Sequence, residues 1–589
     1  MIKKLGKAFG ESLEKYQTKP RRINLEEKEF GKRIGSKIEI LLFGVVFIVL
    51  TILSLRLFQL TVVLGEQNRE KSDNNRIKLN VIKAPRGVIY DRNGMPLTRN
   101  SALYKKFKAD GGWEIIGREQ ALKLVAQGAV GLFTEPTREY IYATQSAHIL
   151  GYLSEISQEE LDSLNILGTT DYRLGDRIGR LGVEEEAENI LRGIDGRELI
   201  EIDARGVVAK QVGRKEAVSG RDVKITIDLK LQRLLAKYFP QGQKGSIVAL
   251  NPHNGAVLGM FSAPTFDPNL FGELFTNKED LKRKRTELAK ILADQNSSLF
   301  NRSIGGIYPS GSTFKIVTSA AGLESGKITG STEVEDVGEI VIGPFRFPNW
   351  YFLQYGKTDG LVNVVKALQR SNDIFFYKVG EMVGLEGIVE MSHKFGLGKK
   401  TGIDLPQESA GLIPDNDWKK NFIGEGWYLG DTYHLAIGQG YLLTTPLQVA
   451  VMTSVIASDG FLCKPYVLMT NDQPQTTNCQ NVNLKPETIA LVKEGMKAAC
   501  STGGTGWPFF EFKIQNEKLK TDERIEVGCK TGTAEFGDAR NRTHAWFTVF
   551  ATLDTPQIVL TVLVEGAGEG SSVAAPVAKK ILENWLPQN

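Results

Sequence analysis

The sequence is poor in the residues that build metal sites and nucleic-acid surfaces. Its 589 residues include 4 cysteines and 5 histidines, and they lack the Cys-x-x-Cys spacing and the paired histidines of zinc sites. Residues 1–37 hold 11 Lys and Arg against 5 Asp and Glu, an excess larger than the +4 of the whole chain, so the remainder is slightly acidic. A body without a basic stripe argues against nucleic-acid binding.

Long apolar runs are equally scarce, and one stands out near the beginning. Ile40 to Leu55 is uncharged, and the run continues after Arg56 from Leu57 to Leu64. As a helix this stretch would be ~37 Å long, enough to cross a hydrocarbon core of about 30 Å. A cleaved signal peptide is the alternative, but residues 62–65 offer no small-x-small cleavage site. We predict an uncleaved single-pass anchor with a cytoplasmic N-terminus, because basic residues precede it.

Such an anchor would place the rest of the chain in a compartment where disulfides are permitted. Cys463, Cys479, Cys500 and Cys529 could form one or two disulfides, and four cysteines allow three complete pairings. Buried free thiols are the alternative. The sequence does not choose among these states.

Two folded parts are predicted after the anchor. Asn74 to Asn100 alternates short β-branched runs with turn residues, and Val183 to Leu191 is a charged helical stretch between glycines. A small mixed domain thus ends near Ser219. In the second part, Asp228 is a candidate N-cap, and strands at both ends with helices between predict one α+β domain whose sheet joins distant parts of the chain. The predicted elements there are strands Ser246–Leu250, Ala256–Phe261, His544–Ala551 and Gln557–Glu565, and a last helix Ala574–Leu586.

A first chemical motif lies in Tyr308 to Lys315, which reads YPSGSTFK and leads into an apolar helix-like run. Ser312 is therefore expected near a helix N-terminus, with Lys315 on the same face and within reach of its hydroxyl. A neutral lysine could act as the base that activates the serine, provided that burial or positive charge lowers its pKa. Alone, the Ser-x-x-Lys pattern is weak evidence, because it often arises by chance.

Two further segments supply polar groups. Lys530, Thr531, Gly532 and Thr533 lie on a predicted strand, where the glycine lets a substrate backbone approach and the ammonium and hydroxyls can bind a carboxylate. The segment 371–373, Ser-Asn-Asp, precedes an aromatic helix-like run and on its own indicates a helix cap. In chain order, the three segments match the S-x-x-K, S-x-N-like and K-T-G set of penicillin-binding proteins and β-lactamases.

Over nearly its full length the sequence resembles the class B penicillin-binding proteins, and within them the elongation type. The resemblance is carried by APRGVIYDRNG (84–94), GRLGVEEEAENILRG (179–193), TIDLKLQ (226–232), FNRSIGGIYPSGSTFK (300–315), IGQGYLLTTPLQ (437–448) and CKTGTAEFG (529–537), with SDNNRIKLNVIKAPRG (72–87) indicating the elongation branch.

The resemblance implies an α+β protein of four parts. These are a cytoplasmic tail (1–37), a transmembrane anchor (38–64), an elongated mixed pedestal or dimerisation-like domain (65–220), and a transpeptidase domain (221–589). The last part is expected to be serine β-lactamase-like, with helices flanking an antiparallel sheet.

The resemblance also implies a peptidoglycan D,D-transpeptidase. Ser312 would attack the penultimate D-Ala carbonyl of a stem peptide, Lys315 would take its proton, and Ser371 would relay a proton to the leaving D-Ala. Backbone N–H groups of Ser312 and Thr533 would form an oxyanion hole. Lys530, with Thr531, Gly532 and Thr533, would hold the substrate carboxylate. β-Lactams would acylate the same serine.

Asp373 departs from the commoner family pattern, which has Asn there, although elongation-type members also carry Asp. A register using Asn372 would break the match to the following Phe375–Tyr377. An anion near Lys315 raises the lysine pKa and Lys530 lowers it, so the residues alone leave the net direction open. Some relatives supply His and Cys to a metal from the stretch before the second motif. Residues 316–370 contain neither, and we predict no zinc and no cofactor.

The resemblance also suggests partner proteins and leaves two alternative functions open. No glycosyltransferase motif occurs before Ile225, so the resemblance implies a SEDS-family glycosyltransferase and other elongation-complex membrane proteins as partners. A hydrolase, either carboxypeptidase or β-lactamase, is an alternative that would need a base to activate water, and no E-x-x-L-N pattern lies between Ser371 and Lys530. A β-lactam sensor that is acylated without turnover is a third possibility.

Overall fold

The computed structural model describes residues 35–107, 113–128, 132–166, 172–202, 208–469, 479–516, 521–537 and 542–586. The described residues fall into two units, one that ends at residue 78 and one that begins at residue 79. The predicted cytoplasmic tail lies outside the described residues except for its last three positions.

The first unit is helical. A helix at Gly35–Phe58 continues into a π-helical turn at Gln59–Val63, and a second helix follows at Gly65–Arg76. The 26 residues Ile38–Val63 have a mean hydropathy of 2.8 and none of the apolar surface is buried. In the described part of the chain this is the one helix long and apolar enough to cross a membrane, and it coincides with the predicted anchor.

The second unit begins with a mixed region of strands and short helices, which lies where the pedestal is predicted. The stretch predicted as one charged helix, Val183–Leu191, is instead two short helices separated at Ala187, whose φ of −97° and ψ of 18° depart from helical geometry. Strand Ile77–Ile82 spans the boundary between the two units. The other strands of this region are Ile89–Tyr90, Thr98–Phe107, Trp113–Ile116, Leu132–Tyr140, Tyr152–Glu155, Arg177–Arg180, Gly196–Ile202, Val208–Lys215 and Val223–Lys224. Its helices are Arg118–Ala126, Ala143–Leu150, Gln158–Ile166, Gly182–Glu186 and Glu188–Leu191.

A five-stranded sheet organises the rest of the unit. Its strands are β1 (Gly245–Leu250), β2 (Val257–Ala263), β3 (Val527–Glu535), β4 (Thr543–Ala551) and β5 (Ile558–Val564). They run antiparallel in the order β2-β1-β5-β4-β3. The prediction of a sheet that joins distant parts of the chain is confirmed, and the strand with the Lys-Thr-Gly segment lies at its edge.

Seven helices of this region matter for the argument: α1 (Leu229–Tyr238), α2 (Lys315–Glu324), α3 (Val364–Arg370), α4 (Asp373–Lys394), α5 (Pro446–Ala457), α6 (Pro486–Ala499) and α7 (Ala574–Trp585). Asp228 caps α1 as predicted, its side chain accepting from Leu231 N at 3.0 Å. The further helices are Pro268–Phe271, Lys278–Leu292, Gly311–Phe314, Trp350–Tyr355, Asn416–Phe422, Leu429–Ala436 and Trp507–Phe509. The further strands are Val334–Asp336, Glu339–Ile342, Phe345–Pro348, Gly360–Val362, Phe461–Cys463, Cys479–Asn481, Lys513–Asn516 and Thr521–Arg524.

The sheet separates two hydrophobic cores. Successive side chains of a strand point to opposite faces, so Ile247 and Val248 are both fully buried but in different cores. Helix α5 lies in the core on one face, and α1 and α7 lie in the core on the other. Burial on both faces explains why the central strand β5, IVLTVLV, is almost entirely apolar rather than alternating.

All four cysteines are paired. Cys463 bonds to Cys479 across two adjacent antiparallel strands, and Cys500, which follows α6, bonds to Cys529 in β3. The sequence left open both the number of disulfides and their pairing. The structure has two disulfides, in the pairing Cys463–Cys479 and Cys500–Cys529.

Candidate active site

The turn that carries Ser312 is held against the edge strand of the sheet. It is a single 3-10 turn, Gly311–Phe314, that leads directly into α2. Gly311 has a φ of 53°, and a Cβ atom there would lie 2.7 Å from the Thr533 carbonyl oxygen, so only glycine permits this approach. Trp546 Nε1 in β4 donates to the Pro309 carbonyl at 3.0 Å. Ser312 is therefore half-buried at the start of a helix, next to the Lys-Thr-Gly strand, as the motifs predicted.

Lys315 is fully buried at the beginning of α2. Its Nζ donates to the Ser371 carbonyl at 2.8 Å, to Asp373 Oδ1 at 2.6 Å and to Ser371 Oγ at 3.3 Å. Three acceptors saturate an ammonium group. No hydrogen bond joins Lys315 to Ser312, both of which the structure describes, so the lysine must release one of these contacts before it can take the serine proton.

Ser371 connects the two lysines of the site. It lies between α3 and α4 with a left-handed backbone, φ 53° and ψ 39°, which is uncommon for a residue other than glycine. Its Oγ accepts from Lys530 Nζ at 2.9 Å as well as from Lys315. The neighbouring Asn372 instead caps α4 by accepting from the Phe375 backbone N–H at 2.9 Å. The register with Asp373 as the third motif residue is therefore the one in which a side chain contacts Lys315.

Burial decides the electrostatics that the sequence left open. Removal from water lowers the pKa of Lys315, and Asp373 offsets this only in part. Burial also lowers the pKa of Lys530 well below its ordinary value, and the adjacent charge of Lys315 lowers it further. Both amines are thus biased toward the neutral form that a proton acceptor needs.

The Lys-Thr-Gly segment lies on β3, whose outer side is the edge of the sheet. Lys530 is fully buried, and the Thr531 hydroxyl is 2.7 Å from the Thr505 hydroxyl. The Thr533 carbonyl accepts from Gln439 Nε2 at 3.3 Å. Gly532 follows Thr531 at the point where the serine turn approaches the strand. An open strand edge beside a nucleophile can receive an extended peptide.

Sequence reasoning missed several residues of this cleft. Gln439 lies in the IGQG segment, which was recognised without a role for its glutamine. Thr505 lies in a glycine-rich stretch, 502–506, whose sequence indicates only a turn. Trp350 donates from its backbone N–H to Asp373 Oδ2 at 3.0 Å. No local pattern marks these positions, because each reaches the site only through the tertiary fold.

No metal site accompanies this cleft in the described ranges, where no group of three or more His, Cys, Asp or Glu side chains could hold an ion. The predicted absence of zinc and of a cofactor stays a prediction.

Family comparisons agree with the geometry of the cleft. Residues 245–583 match the model of the penicillin binding protein transpeptidase domain, and residues 124–225 match that of the penicillin-binding protein dimerisation domain. The first match covers more than half of the chain. The chain belongs to the penicillin-binding protein transpeptidase family. The α+β fold and the family resemblance inferred from the motifs are thereby confirmed.

Individual relatives of this penicillin-binding protein span almost its whole length. The peptidoglycan D,D-transpeptidase MrdA of Salmonella typhimurium is 30% identical over 95% of this chain and 97% of the relative. MrdA of Haemophilus influenzae is 29% identical over 98% of this chain and 96% of the relative.

Solved structures give the same result for the fold. Pseudomonas aeruginosa PBP2, solved with WCK 5153, is 29% identical with a TM-score of 0.67, covering 86% of this chain and 97% of that one. PBP2 from Helicobacter pylori, solved as a complex with MreC, is 25% identical with a TM-score of 0.70, covering 87% and 99%.

Proposed function

We propose that this penicillin-binding protein is a peptidoglycan D,D-transpeptidase that works through an acyl-enzyme on Ser312 and acts in cell-wall elongation. One observation carries the proposal: the Ser371 hydroxyl lies within hydrogen-bond distance of both Lys315 and Lys530, beside the turn that presents Ser312. A nucleophile, a base and a relay hydroxyl in one cleft are the parts that acyl transfer needs. The names of the relatives support the same reaction.

In the acylation step, Ser312 Oγ attacks the carbonyl of the penultimate D-Ala of a stem peptide while Lys315 Nζ takes the hydroxyl proton. The amide bond to the terminal D-Ala then breaks, an ester to Ser312 forms, and the leaving amine receives a proton through Ser371. The lowered pKa of Lys315 makes a neutral amine accessible for the first transfer.

The edge of β3 binds and polarises the substrate. Backbone N–H groups of Ser312 and Thr533 form the oxyanion hole, a contribution of about 10² to 10³ in rate per donor in other enzymes. Lys530, Thr531 and Thr533 bind the terminal carboxylate, whose negative charge favours the ammonium form of Lys530 against the effect of burial. Gly532 lets the substrate backbone approach the strand. In the second step, the amine of a neighbouring stem peptide attacks the ester carbonyl and forms the amide of the cross-link. The bond to Ser312 Oγ breaks, and a proton lost by the amine returns to that oxygen.

The test uses the full chain in detergent and a fluorescent penicillin. We expect covalent labelling of the wild type at Ser312, and none of Ser312→Ala, with the melting temperature unchanged. Ser331→Ala, which changes an exposed serine beyond α2, is the matched control and should label normally. An adduct mapped to any residue other than Ser312 would overturn the assignment.

A second assay separates the transpeptidase from its rivals. Lipid-linked substrate is supplied with and without an acceptor amine, and cross-linked product is compared with hydrolysed product. Cross-links in excess of hydrolysis support the proposal. Rapid loss of the penicillin label with hydrolysed product would favour the carboxypeptidase or β-lactamase, and a stable label without any product would favour the sensor.

We further propose a single-pass topology with the N-terminus in the cytoplasm and residues 65–589 outside it. Positive charges before the Ile38–Val63 helix and two disulfides in the second unit support this orientation. The proposed parts are the tail 1–37, the anchor 38–64, the pedestal 65–220 and the transpeptidase domain 221–589. Fusions of alkaline phosphatase to the C-terminus should be active, and inactive fusions would reverse the orientation.

The proposed partners are a SEDS-family glycosyltransferase and other membrane proteins of the elongation complex. The support is indirect: Helicobacter pylori PBP2 was solved as a complex with MreC, and another relative, 28% identical with a TM-score of 0.70, belongs to a structure of a peptidoglycan synthase complex. Purification of the tagged full chain from membranes should recover a polytopic glycosyltransferase. Depletion should make cells round, whereas filaments would indicate a division role.

A further inference from the structure

Asp336 makes no hydrogen bond to Ser312, Lys315 or Lys530. Its carboxylate is instead the hub of a hydrogen-bond network beside the cleft. It is 3% exposed. Its Oδ1 accepts from the Gly338 N–H at 2.9 Å, and its Oδ2 accepts from Asn349 Nδ2 at 2.8 Å, from the Asp359 N–H at 2.9 Å and from Asn372 Nδ2 at 2.9 Å. Four donors therefore converge on this one carboxylate, three of them on Oδ2.

The first connection from this hub leads to the backbone of Ser371. The residue before it, Arg370, donates from Nε to Asp359 Oδ1 at 2.9 Å. The residue after it, Asn372, donates to both Asp336 and Asp359, at 2.9 and 3.2 Å. A left-handed backbone outside glycine costs of order 1–3 kcal/mol and persists where the surroundings over-determine it. Here both neighbours of the strained residue are tied to buried carboxylates.

The second connection leads to Asp373. Asn349, which is fully buried, accepts from the Asp373 N–H through Oδ1 at 3.1 Å while its Nδ2 donates to Asp336. Its backbone N–H is bound by the Gly338 carbonyl at 2.7 Å. The next residue, Trp350, donates its N–H to Asp373 Oδ2 at 3.0 Å. The carboxylate that pairs with the catalytic lysine is therefore held from behind by residues that Asp336 anchors.

We propose that Asp336 and Asp359 form an acidic frame that positions Ser371 and Asp373 against Lys315. The frame residues contact neither substrate nor reacting atoms, so they are positioning residues rather than catalytic ones. The inference rests on the proposed acyl-enzyme function, because acylation is the reaction whose rate the positioning serves.

The frame has a signature that a purely structural network lacks. Lys315 is faced by Asp373 from α4, by Ser371 from the turn before it and by Lys530 from β3. Asp373 raises the pKa of Lys315, against the larger effect of burial. Loosening Asp373 should therefore lower the pKa of Lys315 further, so that the acid limb of the acylation rate moves to lower pH while the plateau rate falls.

Asp336→Asn is the principal test, in the full chain in detergent. The substituted amide places an N–H₂ donor against one of the four donors at the hub, so the frame loses a contact and its charge. We expect the plateau rate of penicillin acylation to fall about 10- to 100-fold and the acid limb to move down by about one pH unit. The matched control is Glu335→Gln, one residue earlier on the same strand but exposed, which should keep the wild-type rate and pH profile.

A lower melting temperature with an unchanged rate and pH profile in the folded protein would overturn the proposal, as would a lower rate with an unshifted acid limb. If Asp336→Asn does not fold, Asp359→Asn replaces it, with the same direction of change and the same criteria. Wild-type labelling separates the two levels of inference. Absence of an adduct on wild-type Ser312 would defeat the proposed function, whereas normal behaviour of the frame variants would defeat only the frame.

Discussion

The second unit contains two buried clusters of charged side chains, one with equal numbers of cationic and anionic groups and one with more cationic than anionic groups. In the pedestal cluster, Arg86 and Arg138 share the fully buried Glu184 at 2.6 Å each, and Arg86 also binds Glu188 at 2.6 Å. Burial opposes these charges, but the partners outweigh it, raising the pKa of Arg86 and lowering that of Glu184. The ion pairs thus favour the charged forms of Arg86 and Glu184.

In the cleft the outcome is the reverse. Lys315 and Lys530 are both fully buried, and Asp373 is the carboxylate that pairs with Lys315. Burial outweighs that pairing and lowers the pKa of both amines. The comparison teaches that burial alone does not determine what a charged group does. Two arginines paired with two carboxylates make the pedestal cluster structural, whereas two lysines with one carboxylate leave the cleft able to exchange protons.

The largest effect is expected from Lys315→Met, which removes the proposed proton acceptor from the cleft. Acylation by fluorescent penicillin should slow by about 10² to 10⁴-fold, measured by stopped flow. Lys419→Met is the control, since Lys419 is a buried lysine outside the cleft that pairs with Asp431 at 2.6 Å. Equal slowing of acylation in both variants would contradict a specific role for Lys315.

The pedestal cluster should respond in stability instead of rate. Glu184→Gln leaves Arg86 and Arg138 without their shared carboxylate, and loss of one partner of a buried ion pair costs about 3–5 kcal/mol. Urea unfolding should report this loss, while the acylation rate constant of the folded protein stays at the wild-type value. The exposed Glu186→Gln should change stability by less than about 0.5 kcal/mol. A Glu184→Gln variant that is stable but slow would contradict the structural role.

The Cys500–Cys529 disulfide beside the cleft should fix the position of β3, whose Lys530 has no ion-pair partner of its own in the described part of the chain. Cys529 precedes Lys530, and its bond to Cys500 closes a sequence separation of 29 residues. Replacing both cysteines by serine should lower the unfolding free energy by about 2–4 kcal/mol and slow acylation. The Cys463/Cys479 double variant should lose stability without a change in acylation rate, and slowing in that variant as well would argue against a local effect on β3.

The smallest effect concerns pH and stability. The pKa of Lys530 in the folded protein lies below its ordinary value of 10.5, so between those two values the unfolded chain binds more protons and stability rises with pH. The wild type should therefore gain stability relative to Lys530→Met as the pH increases toward 10.5, by up to about 1.4 kcal/mol per pH unit. Guanidinium unfolding of both proteins across this range measures the difference, and a decrease with pH would contradict the lowered pKa.

The sequence was informative where chemistry is local. The spacing of Ser312 and Lys315 predicts one helical turn, the runs Ser246–Leu250 and Ala256–Phe261 predict strands β1 and β2, and the motif order predicts which distant segments meet. Each of these depends on neighbours in the chain or on a pattern of several residues.

Properties that depend on the environment could not be obtained in this way. The direction of the Lys315 pKa required its burial, and the cysteine pairing required the positions of α6 and β3. Asp336 and Asn349 carry no pattern, because an isolated carboxylate or amide becomes a hub only when the fold brings donors around it. The break at Ala187 was missed because its neighbours are good helix formers.

The placement of β3 at the edge of the sheet has a consequence for inhibition. Ligands that bind at this edge can form hydrogen bonds with backbone N–H and carbonyl groups. Nearly every amino acid supplies these groups, whatever its side chain. Single substitutions along this edge alter side chains but leave this hydrogen-bonding ladder in place. Resistance mutations should therefore arise less easily against compounds that bind mostly to the backbone of β3 than against compounds that depend on a particular side chain of the cleft.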